Sequence, residues 1–322
     1  MKKRWLSLGF RANEICNIRE LTKFKAGEIL PYIHDIHFAH YNSKLLSSGR
    51  PPTKYSKLEV KSFLEICSVN GINTTLLLNS GNYEFHDIIK ALENFYLPLG
   101  INAVVISDTN LSEKIRKFYP KLKIYGSCIS YIDTVDGLLN EKEKGIDLHN
   151  PATWTIRNEP FIKEISGKGL KQKQIATEGC ARKCKLEYWH RAESTNSVYH
   201  DLEKTCKKGI PDIYTFLMGS WVTMKQLKRM ENYIDVLKLP RGTFEKFSDI
   251  YRLIRLYDSN EPYNIFDFLS IPLKQIKHNN IIMSDIFDDA FFDNTISDTV
   301  DYNFLDYYIS KLDKVPFFKK EE

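Results

Sequence analysis

Two apolar stretches in the first third of the chain decide the fold: INTTLLLN at residues 72–79 and INAVVIS at residues 101–107. Both are short and rich in Leu, Ile and Val, which is typical of strands buried in a parallel sheet. Each follows a glycine, Gly71 or Gly100, that ends a segment with apolar residues at helical spacing. A helix that ends at a glycine just before a buried strand is the repeating unit of an α/β fold.

The same alternation of strand and helix patterns continues on both sides of these stretches. Roughly eight such units over about 250 residues are the length of a (β/α)8 barrel, so we expect an α/β fold with a TIM-like barrel rather than a doubly wound sheet. The predicted strands are residues 4–10, 35–39, 72–79, 101–107, 122–127, 146–149, 173–177, 214–218 and 233–238. The predicted helices are residues 57–70, 84–97, 111–119, 133–144, 158–166, 224–232 and 244–257.

The regular pattern ends after Tyr257. We therefore predict a barrel over residues 1–258, with a cysteine-bearing loop at residues 179–212, and a C-terminal extension over residues 259–322. The extension is rich in Phe and Tyr, which predicts that it packs on the barrel rather than being disordered.

Composition and charge exclude several classes of protein. The 322 residues include 46 Lys plus Arg against 41 Asp plus Glu, and a formal charge of +5 is too small to indicate nucleic-acid binding by itself. The first ten residues, MKKRWLSLGF, are too short an apolar run for a signal peptide, and no stretch reaches the roughly 20 apolar residues of a membrane span. We expect a cytoplasmic protein, in which six cysteines are thiols or metal ligands rather than disulfides. The motifs GxGxxG, GxxxxGK[ST] and GxSxG are absent from the sequence.

Polar residues follow many of the predicted strands. In a parallel barrel the carboxyl ends of the strands face the active site, so these residues are expected to form a polar rim there. They are Asn79, Asp108, Ser127, Cys128, His149, Glu178, Cys180, Trp221, Lys238 and Arg241.

Residues 177–191, TEGCARKCKLEYWHR, give a sharper indication of chemistry. Cys180 and Cys184 lie among basic residues, Cys206 follows in the same polar segment, and cysteines in such surroundings bind soft metals. We predict that these three cysteines hold a metal, with His190, Cys128, or a substrate or water as the fourth ligand. Zinc would favour a closed set of Cys and His ligands, whereas three cysteines with an open position suit an iron-sulfur cluster. In the alternative interpretation the three are ordinary thiols.

Several side chains near these cysteines are candidates for catalysis and binding. Glu178 and His190 adjoin the predicted ligands and are candidate acid-base residues, although a capping carboxylate and a loop histidine are the alternatives. Arg50, Asn79, Lys238 and Arg241 are candidate substrate-binding residues, in which the cationic groups would bind an anionic group or, alternatively, form rim salt bridges.

A set of segments along residues 30–270 resembles the U32 peptidase-like family, which includes oxygen-independent hydroxylases. The segments are SSGRPP at residues 47–52, LLLN ending at Asn79, GINAVVISD at residues 100–108, PKLKIYGS at residues 120–127, TEGC-x3-C-x5-H, Cys206, and SWVTMKQLKRMENYIDVLKLPRG at residues 220–242. The resemblance implies a TIM-like barrel and a [4Fe-4S] cluster held at the barrel mouth by Cys180, Cys184 and Cys206. It also implies hydroxylation without O2, whereas no HExxH motif in the sequence supports peptidase activity.

Three functions follow from these observations. The first is an iron-sulfur enzyme with a small or medium, anionic organic substrate and an electron donor or partner subunit. The second is an RNA-modifying or nucleic-acid-binding protein, because basic runs such as KGLKQKQ, ARKCK and KTCKK could follow a phosphate backbone. The third is a barrel stapled by zinc that serves as a scaffold for partners.

Overall fold

The fold is described from a computed structural model of the chain. The structure describes residues 1–9, 26–41, 56–79, 84–176, 178–184, 212–240, 247–269, 282–296 and 301–312. All structural statements below concern these residues.

Within the described residues, seven parallel strands form one curled sheet, in the order β5-β4-β3-β2-β1-β7-β6. All neighbouring strands in this order run parallel, as expected for strands that alternate with helices. The strands are β1 (Leu6–Gly9), β2 (Ile33–Ala39), β3 (Asn73–Leu78), β4 (Ala103–Ile106), β5 (Lys123–Gly126), β6 (Lys173–Ile175) and β7 (Val236–Lys238).

The two edges of the sheet are linked through residues 147–149. On one side Asp147 N donates to Ile124 O at 2.7 Å, and on the other His149 N donates to Lys171 O at 2.9 Å. Only isolated bridges form there, Tyr125 with Leu148 and His149 with Gln172. The prediction of a (β/α)8 barrel is therefore confirmed only in part. The sheet is parallel and curled, but in the described ranges it is a half-barrel of seven strands rather than a closed barrel, and residues 146–149 do not form the predicted strand.

Helices connect the strands and cover the outer face of the sheet. They are α1 (Ala26–Ile29), α2 (Lys57–Val69), α3 (Phe85–Ala91), α4 (Thr109–Phe118), α5 (Val135–Glu143), α6 (Glu159–Gly167), α7 (Ile213–Leu217), α8 (Met224–Met230), α9 (Phe247–Ser259), α10 (Asp289–Asn294) and α11 (Tyr302–Ile309). A π-helical turn, Leu92–Tyr96, extends α3, and short 3-10 helices span Leu30–Tyr32, Cys128–Ser130, Thr153–Arg157, Ile265–Asp267 and Ser284–Ile286.

The helix ends have local cap and stop residues. Asp108, which the sequence places on the rim, accepts a hydrogen bond from Asn110 N and caps α4. Gly71, Gly100 and Gly145 have φ angles of 64°, 78° and 90°, the left-handed region that glycine adopts without strain. The helix stops predicted at Gly71 and Gly100 are confirmed.

One predicted strand, residues 214–218, is a helix instead. Asp212 caps α7 by accepting a hydrogen bond from Thr215 N, and the apolar residues Ile213, Phe216 and Leu217 have helical spacing on its buried face. The β-branched and aromatic residues of this segment favoured a strand, but the aspartate cap and the buried helix face determine its structure.

The core has two layers. Between sheet and helices, β2 packs against α2, with the rings of Phe38 and Phe63 in edge-to-face contact at 5.3 Å. On the concave face of the sheet, a second apolar cluster contains Leu77, Ala103, Val105, Tyr125, Leu148 and Val236. This inner layer supports the carboxyl edge of the sheet, where the predicted site residues lie.

Aromatic residues from the C-terminal part of the chain pack on Trp221. The Trp221 ring contacts Phe287, Phe291 and Phe292 at 5.1 to 6.0 Å between ring centroids. Polar contacts accompany this packing: Gln226 Nε2 donates to Asp289 Oδ1 at 3.1 Å. The boundary between residues 258 and 259 stays a prediction. None of the helices in the described ranges is long and apolar enough to cross a membrane.

Candidate functional site at the carboxyl edge of the sheet

Three of the predicted site residues lie at the carboxyl edge of the sheet. Asn79 follows β3, Lys238 is the last residue of β7, and Glu178 lies shortly after β6. Asn79 and Glu178 are buried, and Lys238 is half-buried. The Oδ1 atom of Asn79 has no hydrogen-bond partner among the described residues, so this edge presents a buried amide oxygen that can accept a hydrogen bond.

The segment with the two cysteines lies against residues 219–221. Cys180 Sγ donates to Glu178 Oε1 at 3.8 Å, and Cys180 O accepts a hydrogen bond from Ser220 N at 2.8 Å. The approach is close because residue 219 is a glycine: a Cβ there would lie 2.8 Å from Phe216 O and 3.0 Å from Cys180 O. Cys180 and Cys184 are both half-buried.

The described residues do not by themselves form a metal site. Within the part of the chain that the structure covers, no group of three His, Cys, Asp or Glu side chains could hold a metal ion. Cys180 and Cys184 are present there, but the third predicted ligand, Cys206, lies outside the described residues, as do His190, Arg50 and Arg241. The predicted cluster is thus neither confirmed nor contradicted.

His149, which the sequence places on the rim, has a different role. Its Nδ1 atom lies 2.9 Å from Glu141 Oε2 on α5, and both side chains are buried. Gly126 on β5 leaves room for this carboxylate, since a Cβ there would lie 3.0 Å from Glu141 Oε2. His149 therefore joins the sheet to a helix rather than facing the site.

A buried polar cluster fills part of the concave face of the sheet, and the sequence analysis did not predict it. Lys173 Nζ on β6 donates to both carboxylate oxygens of Asp35 on β2, at 3.1 and 3.2 Å, and to Ser7 Oγ on β1 at 3.1 Å. Thr75 Oγ1 on β3 donates to Asp35 Oδ2 at 2.7 Å. The Lys173 ammonium also lies 4.9 Å from the centre of the Tyr125 ring. The carboxylate thus joins β2 to β3 and β6, and Lys173 adds β1 through Ser7.

Electrostatics keep this carboxylate ionised. Burial alone would raise the pKa of Asp35, but the charge of Lys173, with smaller contributions from His34 and His37, holds it well below its ordinary value. An ionised Asp35 can only accept hydrogen bonds, and both Lys173 and Thr75 donate to it.

The cluster extends towards the carboxyl edge through Ser7. Ser7 Oγ lies 3.4 Å from His37 Nδ1, and Ser7 is also the register partner of Asp35 and of Lys238. Register partners in a parallel sheet point to the same face, so the predicted substrate-binding Lys238 lies beside this cluster. The spacing of Asp35 and His37, two residues apart on an apolar strand, is the sequence signal that could have indicated their common face.

Arg157 is a second buried charge that the sequence analysis missed. Its Nε donates to Trp221 O at 3.0 Å and its Nη1 to Leu217 O at 2.7 Å. Its guanidinium lies 5.0 to 5.2 Å from the ring centres of Trp221, Phe291 and Phe292. Burial lowers the pKa of Arg157 to about 9, with a smaller contribution from the nearby positive charge of Arg182. The side chain is therefore still a cation at neutral pH.

Comparisons with known proteins give the fold. No protein-family model matches the chain, and no similar sequence was found among curated proteins. A solved U32 peptidase has a TM-score of 0.55 with 13% sequence identity, over 75% of this chain and 95% of its own. A 2,3-dimethylmalate lyase has a TM-score of 0.44 and 9% identity, over 80% and 84% of the two chains. A glycerophosphodiester phosphodiesterase from Parabacteroides distasonis has a TM-score of 0.45 and 11% identity, over 79% and 100%. The resemblance to U32 peptidases is thus confirmed at the level of the fold.

Proposed function

We propose that this protein is an iron-sulfur enzyme of the U32 peptidase-like type, whose small or medium organic substrate binds at the carboxyl edge of the sheet. One observation carries the proposal: the half-buried thiol of Cys180 donates to the buried carboxylate of Glu178 just beyond β6. In parallel α/β sheets and barrels, substrates bind at this edge. A thiol and a carboxylate in contact there are groups that can bind a metal and transfer protons.

The roles of the other residues follow the resemblance. Cys180, Cys184 and Cys206 would hold a [4Fe-4S] cluster, Glu178 and His190 would transfer protons, and Asn79, Lys238, Arg50 and Arg241 would bind the substrate. When bound, such a cluster supplies electron transfer, which supports oxygen-independent hydroxylation with a separate electron donor. The described residues support this assignment in part, because Cys180 and Cys184 are half-buried on one short segment.

Metal analysis under exclusion of air tests the proposal. The protein is purified without oxygen, and its visible spectrum, iron, sulfide and zinc contents are measured for the wild type and for Cys180→Ser, Cys184→Ser and Cys206→Ser. Cys67→Ala is the matched control, because Cys67 is fully buried in α2 and burial raises its pKa to about 12. We expect a brown protein with iron and sulfide, which each of the three substitutions bleaches and the control does not.

Other outcomes would indicate a different function. A colourless chain with one zinc, lost in the same three variants, would indicate the zinc-stapled barrel. A colourless chain without metal would indicate that the three cysteines are ordinary thiols and not ligands. RNA retention that falls steeply with salt would favour the nucleic-acid-binding alternative.

A further inference from the structure

We propose that Arg157 and Ser220 form a binding position for an oxyanion, a carboxylate or phosphate group of the substrate, beside the segment that carries Cys180. The inference rests on the proposed function, because it assigns the anion to that enzyme's substrate. From the sequence alone, this role is expected of Arg50, Lys238 and Arg241 instead.

The Arg157 side chain is buried and has an unused hydrogen-bond donor. It is 3% exposed, yet its Nη2 atom has no hydrogen-bond partner and no carboxylate pairs with it among the described residues. Its two hydrogen bonds go to neutral carbonyl oxygens, those of Trp221 and Leu217. A buried guanidinium without a counter-charge is strongly unfavourable, so an anion that accepts from Nη2 would stabilise it.

Ser220, which precedes the residue whose carbonyl accepts from Arg157, carries a second unused donor. Ser220 is fully buried, and its Oγ also has no partner in the described part of the chain. Ser220 lies between two fixed points: its own N–H donates to Cys180 O, and the carbonyl of the next residue, Trp221, accepts from Arg157 Nε. A hydroxyl and a guanidinium N–H are the donor types that bind an oxyanion, and the hydrogen bond to Trp221 O holds Arg157 against the residue next to Ser220.

A second positive charge, that of Arg182, lies close to Arg157. Arg182, near enough to Arg157 to lower its pKa, lies on the segment between Cys180 and Cys184 and is half-buried. Arg182 donates to the carbonyl oxygens of Thr295 and Ile296. Its positive charge adds to that of Arg157 and favours the binding of an anion at Arg157.

Anion titrations of the full chain test the inference. Phosphate and acetate are titrated at constant ionic strength, with chloride as the reference salt, and binding is measured by calorimetry and by the shift in Tm. We expect saturable binding of at least one of the two anions. Binding of phosphate alone would indicate a phosphorylated substrate, and binding of acetate alone a carboxylate substrate.

The variants assign the binding to this position. Arg157→Lys, which keeps the charge but loses the planar fork, should weaken the Kd at least tenfold, and Ser220→Ala should weaken it severalfold. Arg252→Lys is the matched control, because Arg252 is exposed and pairs with Asp267 at 2.5 Å; its Kd should equal that of the wild type.

The inference is overturned if neither anion binds more tightly than chloride, or if Arg157→Lys and Ser220→Ala leave the Kd unchanged. If Arg157→Lys does not fold, the Kd of Ser220→Ala alone tests the position, because removal of a hydroxyl without a partner leaves the packing intact. The titration does not depend on metal content. If a chain without iron binds the anion and this binding depends on Arg157, the anion site is supported and the iron-sulfur proposal is refuted.

Discussion

Lys173 Nζ lies 3.1 and 3.2 Å from the two carboxylate oxygens of Asp35, although 138 positions separate the two residues in sequence. Both side chains are buried, at 2% and 0% exposure of the side chain, within a concave face that is otherwise largely apolar. Buried ion pairs often contribute less to stability than apolar residues of similar size would. We infer that such a pair is kept for the position of its hydrogen-bond partners, Ser7 and Thr75, rather than for net stability.

This relationship predicts a strong coupling between the two charges. Asp35→Asn or Lys173→Met alone leaves one buried charge without its partner, so each should lower the free energy of unfolding by about 3–5 kcal/mol. The double variant should lose clearly less than the sum of the two single variants. Urea unfolding of all four proteins measures the coupling.

The exposed pair of Lys61 and Glu65, 3.8 Å apart on α2, is the control, and its removal should have little effect on stability. Additive losses in the buried pair would contradict the predicted coupling.

His40 predicts a second effect, on the pH dependence of stability. It is 3% exposed, and its Nδ1 atom lies 2.6 Å from the hydroxyl oxygen of Tyr96. Burial lowers the pKa of His40 to about 4, whereas an unfolded chain protonates histidine near an ordinary value of about 6.5. Between these two values the unfolded chain binds a proton that the folded chain does not. Stability therefore falls as the pH decreases through this window, by at most about 1.4 kcal/mol per pH unit.

Urea unfolding of the wild type and His40→Gln at about pH 7 and about pH 5 measures this effect. The variant should lose less stability between the two values than the wild type. His86→Gln is the control, because the His86 side chain is 83% exposed and its replacement should leave the pH dependence of the wild type in place. An equal pH dependence of His40→Gln and the wild type would show that another group titrates.

The close packing of the cysteine segment against residue 219 requires a glycine there. In Gly219→Ala the new Cβ would meet Phe216 O at 2.8 Å and Cys180 O at 3.0 Å, so the backbone has to move. We expect a loss of about 1–3 kcal/mol of stability and a faster reaction of Cys180 with a thiol reagent. Gly167→Ala is the control, because a Cβ at the end of α6 meets nothing within 4 Å. Unchanged thiol reactivity in Gly219→Ala would mean that the contact with residue 219 does not position Cys180.

Much of the fold could be predicted from local patterns. The strands around residues 73–78 and 103–106, the aspartate cap of α4 and the glycine stops at Gly71, Gly100 and Gly145 all depend on residues close in sequence. The misassigned segment at 214–218 shows the limit of this approach, because its β-branched and aromatic residues satisfied a strand pattern while the Asp212 cap determined a helix. Residues 146–149 were predicted to form a strand, but they make only isolated bridges.

The candidate site was predictable only in part. Asn79, Glu178, Cys180 and Lys238 follow from the rule that carboxyl ends of parallel strands share one edge, which a sequence pattern alone can apply. Arg157 and Ser220 gave no signal, because their significance depends on burial and on unpaired polar atoms.

The sequence by itself determined the parallel α/β fold, since helix stops and buried strand patterns are set by neighbouring residues and their backbone preferences. Only the tertiary structure decided which polar side chains meet. Lys173 reaches Asp35 and Ser7 because the curled sheet brings β6, β1 and β2 around one concave face, and Arg157 is buried because Trp221, Phe291 and Phe292 close over it. These contacts join residues far apart in the chain, and no local pattern specifies them.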